Sequence, residues 1–285
     1  MALVGTRKRF HSGRAAQQSA RGFTLIEIAI ALFIITLVLG TLLGPMAAQI
    51  AQRRISETQK TLDDIKEALL GFAVSNTRLP CPASATSNGV ESFCTNASPN
   101  PCGAEILVPP GVIPSHGRCA AQWNGFVPGA TLGLAVTDAQ GYAIDAWGTR
   151  IRYAVTAVFA APTQNQTFTI PSGMRTATLT ALAPDLSVCA SSTGITATTC
   201  GMTAQILTSS SPAVIYSLGP NANTGGGATG DEAANPNPNS ANNDQVFVSR
   251  VRSGPGAAGG EFDDIVTWLS ENVLYNRMVA AGQLP

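Results

Sequence analysis

The chain has 285 residues, enough for one large domain or two small ones. Only 12% of the residues are charged, and 28 glycines with 18 prolines predict many loops. The formal net charge of zero combines +5 over residues 1–22 with −5 over the rest of the chain. That acidic remainder argues against general binding to phosphate backbones, so nucleic acid is not expected as a partner.

The first predicted element is a basic leader over residues 1–22, followed by a long apolar run. No charged residue occurs between Ile28 and Gln52. About 20 apolar residues span a bilayer, and a basic flank marks the cytoplasmic side. We therefore predict that residues 23–45 cross a membrane once, with the N-terminus in the cytoplasm. The leader's basic residues are Arg7, Lys8, Arg9, Arg14 and Arg21.

Two simpler interpretations of this N-terminus are open. An ordinary secretory signal peptide has an apolar core of about 7 to 15 residues before small residues at its cleavage site. Ala47, Ala48 and Ala51 fit such a site, although Ile28–Gly44 is longer than such a core. A plain signal anchor also fits an apolar run of this length. Neither interpretation accounts for Glu27 at the start of the run.

The hexapeptide Gly22-Phe23-Thr24-Leu25-Ile26-Glu27 resembles the processing site of type IV prepilins and of the related pseudopilins of type II secretion. The resemblance implies cleavage between Gly22 and Phe23 by a prepilin peptidase, then N-methylation of Phe23. It implies three kinds of partner: the peptidase and methylase, other pilins or pseudopilins in a filament, and an inner-membrane assembly platform. The expected location is the bacterial inner membrane, with the head in the periplasm or in an extracytoplasmic filament.

Glu27 is expected to be an assembly contact. A carboxylate near the centre of a membrane helix costs roughly 2.5 to 3.5 kcal/mol, so it needs a partner. Cleavage creates a positive amine on Phe23, and in a filament the amine of one subunit can meet Glu27 of its neighbour. The alternative is a glutamate that only extends to the lipid headgroups.

The apolar pattern continues past the membrane segment and predicts an amphipathic helix half over residues 46–78. Charged residues occupy the other positions, which predicts one face on a globular head and one face in water. The helix is expected to bend or loosen at Gly44-Pro45 and to end near Asn76, before Pro80. The apolar positions are Ile50, Ile55, Leu62, Ile65, Leu69 and Phe72.

Residues 79–285 are predicted to form an extracytoplasmic head. Ala83–Pro101 reads as an irregular loop and Asn221–Asn243 as a mobile one, because both are rich in small polar residues. β-Branched runs predict an antiparallel sheet, followed by a final helix near Glu271–Ala281. We therefore predict an α+β, pilin-like fold: a long N-terminal helix on an antiparallel sheet, with a loop-rich, disulfide-stabilised head. The predicted strands are Arg150–Phe159, Gln166–Ile170, Ala177–Leu182, Ala204–Leu207, Ala213–Leu218 and Gln245–Val251, and the final helix comes after Phe262–Leu269.

Short motifs in the head resemble the major pseudopilin of type II secretion: Asp145-x-Trp147-Gly148 followed by Tyr153, then Ser217-Leu218-Gly219, then Asp264-Ile265 with Trp268. In that family the last two segments hold a calcium ion. This chain has Pro220-Asn221 where the family offers an aspartate. Two interpretations are therefore open: the site binds calcium, or it binds no metal and packing and disulfides hold the loop. The possible ligands are Asp231, Asp244, Asp263 and Asp264.

Six cysteines lie beyond the apolar run, where an even count favours disulfides with 15 possible connectivities. Short loop closure favours Cys94–Cys102 and Cys189–Cys200, which leaves Cys81–Cys119. A zinc site would use His116 and Cys119, but the sequence has no Cys-x-x-Cys. Catalysis would also depend on His116, the only histidine outside the leader, so we predict that the protein is not an enzyme.

Two functions follow from these observations. The first is a structural subunit of a type II secretion pseudopilus or a type IV pilus, assembled through its N-terminal helix. The alternative is a minor pilin that acts as an adhesin or binding module at a filament tip, through the Ala83–Pro128 and Asn221–Asn243 loops. The sequence leaves open the system served, the major or minor role, and the cargo or ligand.

Overall fold

The computed structural model describes residues 22–97, 102–160, 165–222, 230–235, 244–257 and 259–284. Within these ranges, the side chains of residues 41–45, 159–160 and 179 are outside the description. The predicted basic leader, apart from Gly22, and most of the predicted Asn221–Asn243 loop also fall outside the described residues. The chain divides into two compact units, Met1–Ala51 and Gln52–Pro285.

The first helix, α1, extends over Leu25–Asn76 and includes Gly44 and Pro45. Its residues up to 40 and from 46 to 50 are exposed. Within the part of the chain that the structure describes, no helix is both long and apolar enough to cross a membrane. The predicted span, residues 23–45, includes the five positions whose side chains are not described, and it stays a prediction.

The second half of α1 belongs to the larger unit and contributes to its main core. Leu62, Ile65 and Leu69 are at most 1% exposed, so the predicted apolar stripe is buried here. Ile50 does not follow the stripe and is 53% exposed. The helix ends at Asn76, where the prediction placed it, because Thr77 takes the left-handed conformation (φ 55°) before Pro80.

Eleven strands and three further helices follow α1 in the described residues. The helices are α2 (Gly129–Leu132), α3 (Gly173–Thr176) and α4 (Glu271–Ala280). The strands are β1 (Glu91–Cys94), β2 (Glu105–Val108), β3 (Gly125–Phe126), β4 (Arg152–Val155), β5 (Phe159–Ala160), β6 (Asn165–Gln166), β7 (Leu186–Cys189), β8 (Ile206–Ser211), β9 (Ala213–Ser217), β10 (Val246–Val248) and β11 (Ile265–Leu269).

The central sheet of the larger unit is antiparallel, in the order β11-β9-β4-β3. Its side chains alternate between two cores, as the two-residue period of a strand requires. Tyr153 and Ile215 join the core that contains α1 and α4, whereas Ala154 and Tyr216 join a second core with Phe247. The sheet is therefore covered on both faces, which explains why every residue of β9 is buried.

The second sheet has the order β10-β7-β8, and it corrects the prediction of purely antiparallel pairing. β7 and β8 are antiparallel, but β10 runs parallel to β7, with Val248 opposite Cys189. The long connection before β10 permits this pairing, because parallel strands need a crossover rather than a tight turn. The observed architecture is thus α+β, with an N-terminal helix followed by mostly antiparallel sheets.

Three further predictions of local structure were wrong. Ala83–Pro101 contains β1, which pairs with β2. Gln166–Ile170 is mostly a turn, because the Gln166 carbonyl accepts from the amides of Thr169 and Ile170. Ala177–Leu182 contains a short 3₁₀ helix, because the Thr178 carbonyl accepts from Ala181 and Leu182. In the second and third of these segments, turn hydrogen bonds overrode the strand preference of the side chains.

Three disulfides connect the six cysteines: Cys81–Cys119, Cys94–Cys102 and Cys189–Cys200. Short loop closure favoured the second and third of these pairs, and the first is the pair that this choice left. Cys81–Cys119 lies in the main core beside Leu79 and Phe93. Cys189–Cys200 lies at the end of β7 and forms a small core of its own with Val246.

Candidate functional site

The N-terminal segment begins α1 with a reciprocal capping arrangement between Thr24 and Glu27. The Thr24 amide and hydroxyl both donate to Glu27 Oε2 at 2.8 Å, and the Glu27 amide donates to Thr24 Oγ1 at 3.3 Å. This is the capping box expected from Thr-x-x-Glu at a helix start, and the sequence alone contained that signal. Glu27 therefore caps its own helix, in addition to the assembly contact that the sequence predicts.

The residues around this cap present apolar surface next to a glycine. Phe23 is 82% exposed and Leu25 is 90% exposed. A Cβ added to Gly22 would meet no atom of the described residues within 4 Å, so no contact in this part of the chain requires glycine there. A glycine at this position is instead consistent with a peptidase that accepts only a small residue.

In the larger unit, the fold brings the three pseudopilin-like motifs together. Ile265, which begins β11, lies opposite Ser217, which ends β9, so the motifs that adjoin these residues meet at one edge of the central sheet. Ser217 Oγ donates to Asp145 Oδ2 at 2.6 Å. The other Asp145 oxygen accepts from the amides of Trp147 and Thr149, both at 2.9 Å. Asp145 is thus a turn residue, and Trp147 beside it is half-buried.

Three buried carboxylates converge at this edge: Glu232, Asp263 and Asp264. One oxygen from each lies within 4.8 Å of the others, and each residue is at most 5% exposed. The sequence located Asp263 and Asp264 through the resemblance, but it missed Glu232. Glu232 lies inside the Gly- and Asn-rich stretch that appeared too polar to form a site.

Hydrogen bonds hold the three carboxylates in place. Glu232 Oε1 accepts from the Asp263 amide at 2.6 Å, and Asn221 donates to Glu232 Oε2 at 3.1 Å. Asn235 donates to Asp264 Oδ2 at 2.6 Å, and its own oxygen accepts from the Val248 amide at 2.7 Å. Asn235 is therefore a second residue that sequence reasoning missed, and it orients Asp264.

The cluster is electrostatically unfavourable without a cation. Burial raises the pKa of Asp263 to about 7, and the nearby Glu232 carboxylate adds to the rise. Burial likewise raises the pKa of Asp264 to about 7, against the opposing hydrogen bond from Asn235. Among the described residues, Asp263 Oδ1 is buried and has no hydrogen-bond partner. A buried carboxylate oxygen without a partner is costly and marks a place where a ligand would be favourable.

Two of the predicted calcium ligands lie elsewhere. Asp231 is turned toward Arg250, whose Nε lies 2.7 Å from Asp231 Oδ2 as an ion pair without hydrogen-bond alignment. Asp244 accepts from the Val246 amide at 3.0 Å and is not one of the three converging carboxylates. Asp231 and its neighbour Glu232 thus have different partners, Arg250 for the first and the Asp263 amide for the second.

The donor set fits calcium. Calcium prefers six to eight oxygen ligands with several carboxylates, and this edge of the sheet offers three carboxylates, one with an unpartnered oxygen. Gly219 permits the close approach of the Ser-Leu-Gly turn, since a Cβ there would lie 2.4 Å from Asp263 Oδ1. Gly219 also has a positive φ of 69°, which favours glycine.

The zinc alternative does not fit. Cys119 is oxidised in the Cys81–Cys119 disulfide and cannot offer a thiolate. His116 Nδ1 accepts from the Arg118 amide at 3.1 Å, so that ring nitrogen is already used within its own loop.

Comparison with known proteins gives one match. Residues 17–43 match the family model described as the prokaryotic N-terminal methylation motif. This motif is the signature of the type IV pilins and pseudopilins, which confirms the resemblance seen in the hexapeptide. No curated protein and no solved structure matches the chain. The protein is therefore pilin-like at its N-terminus, and the motif implies processing by a prepilin peptidase and assembly with other pilins.

Proposed function

We propose that the protein is a structural subunit of an inner-membrane-rooted filament, either a type II secretion pseudopilus or a type IV pilus. The observation that carries the proposal is the methylation motif over residues 17–43, which leads directly into α1. Proteins with this motif are typically structural rather than enzymatic. In this proposal, residues 23–45, most of which belong to α1, anchor the subunit in the membrane before assembly and contact other subunits afterwards.

The exposed apolar residues of α1 support this role. Phe23, Ile26, Leu32 and Phe33 are between 57% and 82% exposed, and they belong to a longer run of exposed large apolar side chains. Exposed apolar surface on this scale is unfavourable in water and is typical of membrane or protein contact sites. Lipid tails and neighbouring apolar helices would both remove that surface from water.

Glu27 is proposed to connect neighbouring subunits. Both capping bonds from Thr24 use Oε2 of Glu27, which leaves Oε1 to accept from another donor. The amine created on Phe23 by cleavage would be that donor when it comes from the next subunit. The cap holds the carboxylate in one orientation, so the charge is presented at a fixed place on the helix.

We also propose that calcium binds to Glu232, Asp263 and Asp264. The support is the buried, unpartnered Asp263 Oδ1 within a group of three buried carboxylates. The ion would supply positive charge to a site that has negative groups in excess. Its role would be structural, because it would join the β9 turn and the start of β11 to residues 231–235.

Intact-mass analysis of membrane-extracted protein tests the filament proposal. The expected mass corresponds to loss of residues 1–22 and addition of one methyl group at Phe23. Gly22→Val is the matched variant, and it should remain uncleaved because the peptidase needs a small residue at this position. Cleavage after Ala48 or Ala51 would instead restore the signal-peptide interpretation and contradict the proposal.

A further inference from the structure

A short segment, residues 230–235, carries one of the three carboxylates of the cluster. Glu232 is part of its single 3₁₀ turn, Glu232–Ala234, so its position depends on how this segment is attached to the rest of the unit. The Glu232 side chain accepts from the Asp263 amide and from Asn221, and among the described residues two further side chains attach the segment, one at each end. Asn235 attaches the C-terminal end, because its side chain donates to Asp264 and accepts from the Val248 amide.

Asp231 is the attachment at the N-terminal end. Its Oδ1 accepts from the Ser192 amide and from the Ser192 hydroxyl, both at 2.7 Å, and from the Ser191 hydroxyl at 3.2 Å. Its Oδ2 lies 2.7 Å from Arg250 Nε. Asp231 is only 4% exposed, so these contacts form in a protected environment where charged hydrogen bonds are strong.

The two serines belong to the loop that the Cys189–Cys200 disulfide closes. Cys189 ends β7 and lies opposite Val248 of β10, and its carbonyl accepts from the Ser249 amide at 2.9 Å. The disulfide joins residues 11 positions apart, so it restricts the loop directly next to Ser191 and Ser192. The disulfide loop, the strand β10 and Asp231 therefore form one connected frame beside the cluster.

We infer that the Cys189–Cys200 loop positions the carboxylate cluster: through Ser191, Ser192 and Asp231 it holds Glu232 against Asp263 and Asp264 and thereby sets the affinity for a divalent cation. The affinity part of this inference rests on the calcium role proposed above. Asp231 is a positioning residue and not a ligand. Holding ligands in place before binding raises affinity, because the cost of ordering them is met during folding.

The test measures Ca²⁺ binding and hydrogen exchange on full-length mature protein in detergent. Asp231→Ala and the double variant Cys189→Ser/Cys200→Ser should bind Ca²⁺ about 10- to 100-fold more weakly, the effect typical of residues that orient metal ligands. Ser192→Ala should have a smaller effect, because the Ser192 amide still donates to Asp231. In Ca²⁺-free protein, Asp231→Ala should speed hydrogen exchange of the Ala234 and Asn235 amides. These amides donate to the backbone carbonyls of Asp231 and Glu232.

The matched control is Cys94→Ser/Cys102→Ser. It removes a disulfide of similar loop length, 8 residues apart, in the β1–β2 region, and it should leave Ca²⁺ affinity within about twofold of wild type. Wild-type affinity and unchanged exchange in Asp231→Ala would overturn the inference. A wild-type protein that binds no Ca²⁺ would refute the calcium role, and the positioning of residues 230–235 would then be decided by the exchange rates alone.

Discussion

The guanidinium of Arg78 and the carboxylate of Glu91 form a buried bidentate ion pair inside the larger unit. Arg78 Nη1 lies 2.6 Å from Glu91 Oε2 and Nη2 lies 2.8 Å from Oε1, with side-chain exposures of 6% and 2%. The Cys81 amide donates to the same Oε2 at 2.9 Å. Arg78 follows the end of α1 and Glu91 begins β1, so the pair fixes the exit of the helix to a strand.

Glu91→Gln should lower the free energy of unfolding by about 3 to 5 kcal/mol, because it leaves the Arg78 charge buried without a counter-charge. Thermal unfolding of the detergent-solubilised protein, followed by tryptophan fluorescence, measures the change. The matched control is Glu67→Gln. Glu67 pairs with Arg277 at 3.4 Å, but both side chains are more than half exposed, so the loss should be about 0.5 kcal/mol or less. Equal effects of the two variants would contradict the assigned role of the buried pair.

Glu27→Gln should be inserted and cleaved normally but should fail to assemble into filaments. Glutamine can replace glutamate in a capping box, so α1 still begins at the same place. Its loss of charge would leave the neighbouring subunit's amine buried without a partner, which costs about 3 to 5 kcal/mol. Processing, membrane retention and cross-linking into filaments should be followed in the same cells.

Thr24→Ala separates capping from assembly. It removes the hydroxyl that bonds Glu27 Oε2 but keeps the carboxylate, so it should cost about 1 kcal/mol of helix stability and leave cross-linking intact. Glu27→Ala removes both functions and should behave like Glu27→Gln in assembly. If Thr24→Ala fails to assemble into filaments while Glu27→Gln assembles normally, Glu27 acts only as a helix cap.

Without calcium, stability should fall as the pH rises from about 4 to about 7. Asp263 and Asp264 have pKa values of about 7 in the folded protein and about 4 when unfolded. The folded state therefore keeps protons that the unfolded state releases, and this contribution is present below pH 4 and is lost as the pH passes 7. Thermal unfolding in EDTA at several pH values tests the sign.

Calcium should reverse this loss at neutral pH. A Ca²⁺ concentration 100-fold above the Kd should add about 2.7 kcal/mol of stability at pH 7, and the gain should shrink at pH 5 as the carboxylates become protonated. The double variant Asp263→Asn/Asp264→Asn should show neither the pH dependence nor the calcium effect. A calcium effect that persists in this variant would place the ion elsewhere.

The three disulfides should contribute unequally to stability. Cys81–Cys119 joins residues 38 apart and should contribute about 4 kcal/mol, whereas Cys94–Cys102, 8 apart, should contribute about 2.5 kcal/mol. Paired Cys→Ser variants compared by thermal unfolding test this order. Thiol labelling of unfolded, unreduced protein should find no free cysteine, and six reactive thiols would contradict the pairing.

The sequence predicted α1 and the β9 strand well, because their signals are local. The buried positions Leu62, Ile65 and Leu69 recur at helical spacing, and a proline follows the helix end. Gln166–Ile170 and Ala177–Leu182 were predicted incorrectly as strands, since threonine favours strands but its hydroxyl can also form the hydrogen bonds of turns. Whether such a segment forms a strand or a turn depends on partners distant in the chain. One such partner is the Gly117 carbonyl, which accepts from Thr169 Oγ1 at 2.6 Å.

The carboxylate cluster was only partly predictable for a similar reason. Asp263 and Asp264 lie at a segment that resembles a pseudopilin motif, so the sequence named them as possible ligands. Glu232 has no local signal, because its role depends on the Asp263 amide 31 residues away. Its neighbour Asp231 looked equally suitable as a ligand in the sequence, and only the fold shows that the two side chains serve different partners.

The attachments at Asp231 and Asn235 have a consequence for how the chain tolerates change in length. Both attachments and Glu232 lie within five consecutive residues, and the single 3₁₀ turn Glu232–Ala234 occupies the space between the attachments. One extra residue between Asp231 and Asn235 would therefore move Glu232 out of register with Asp263.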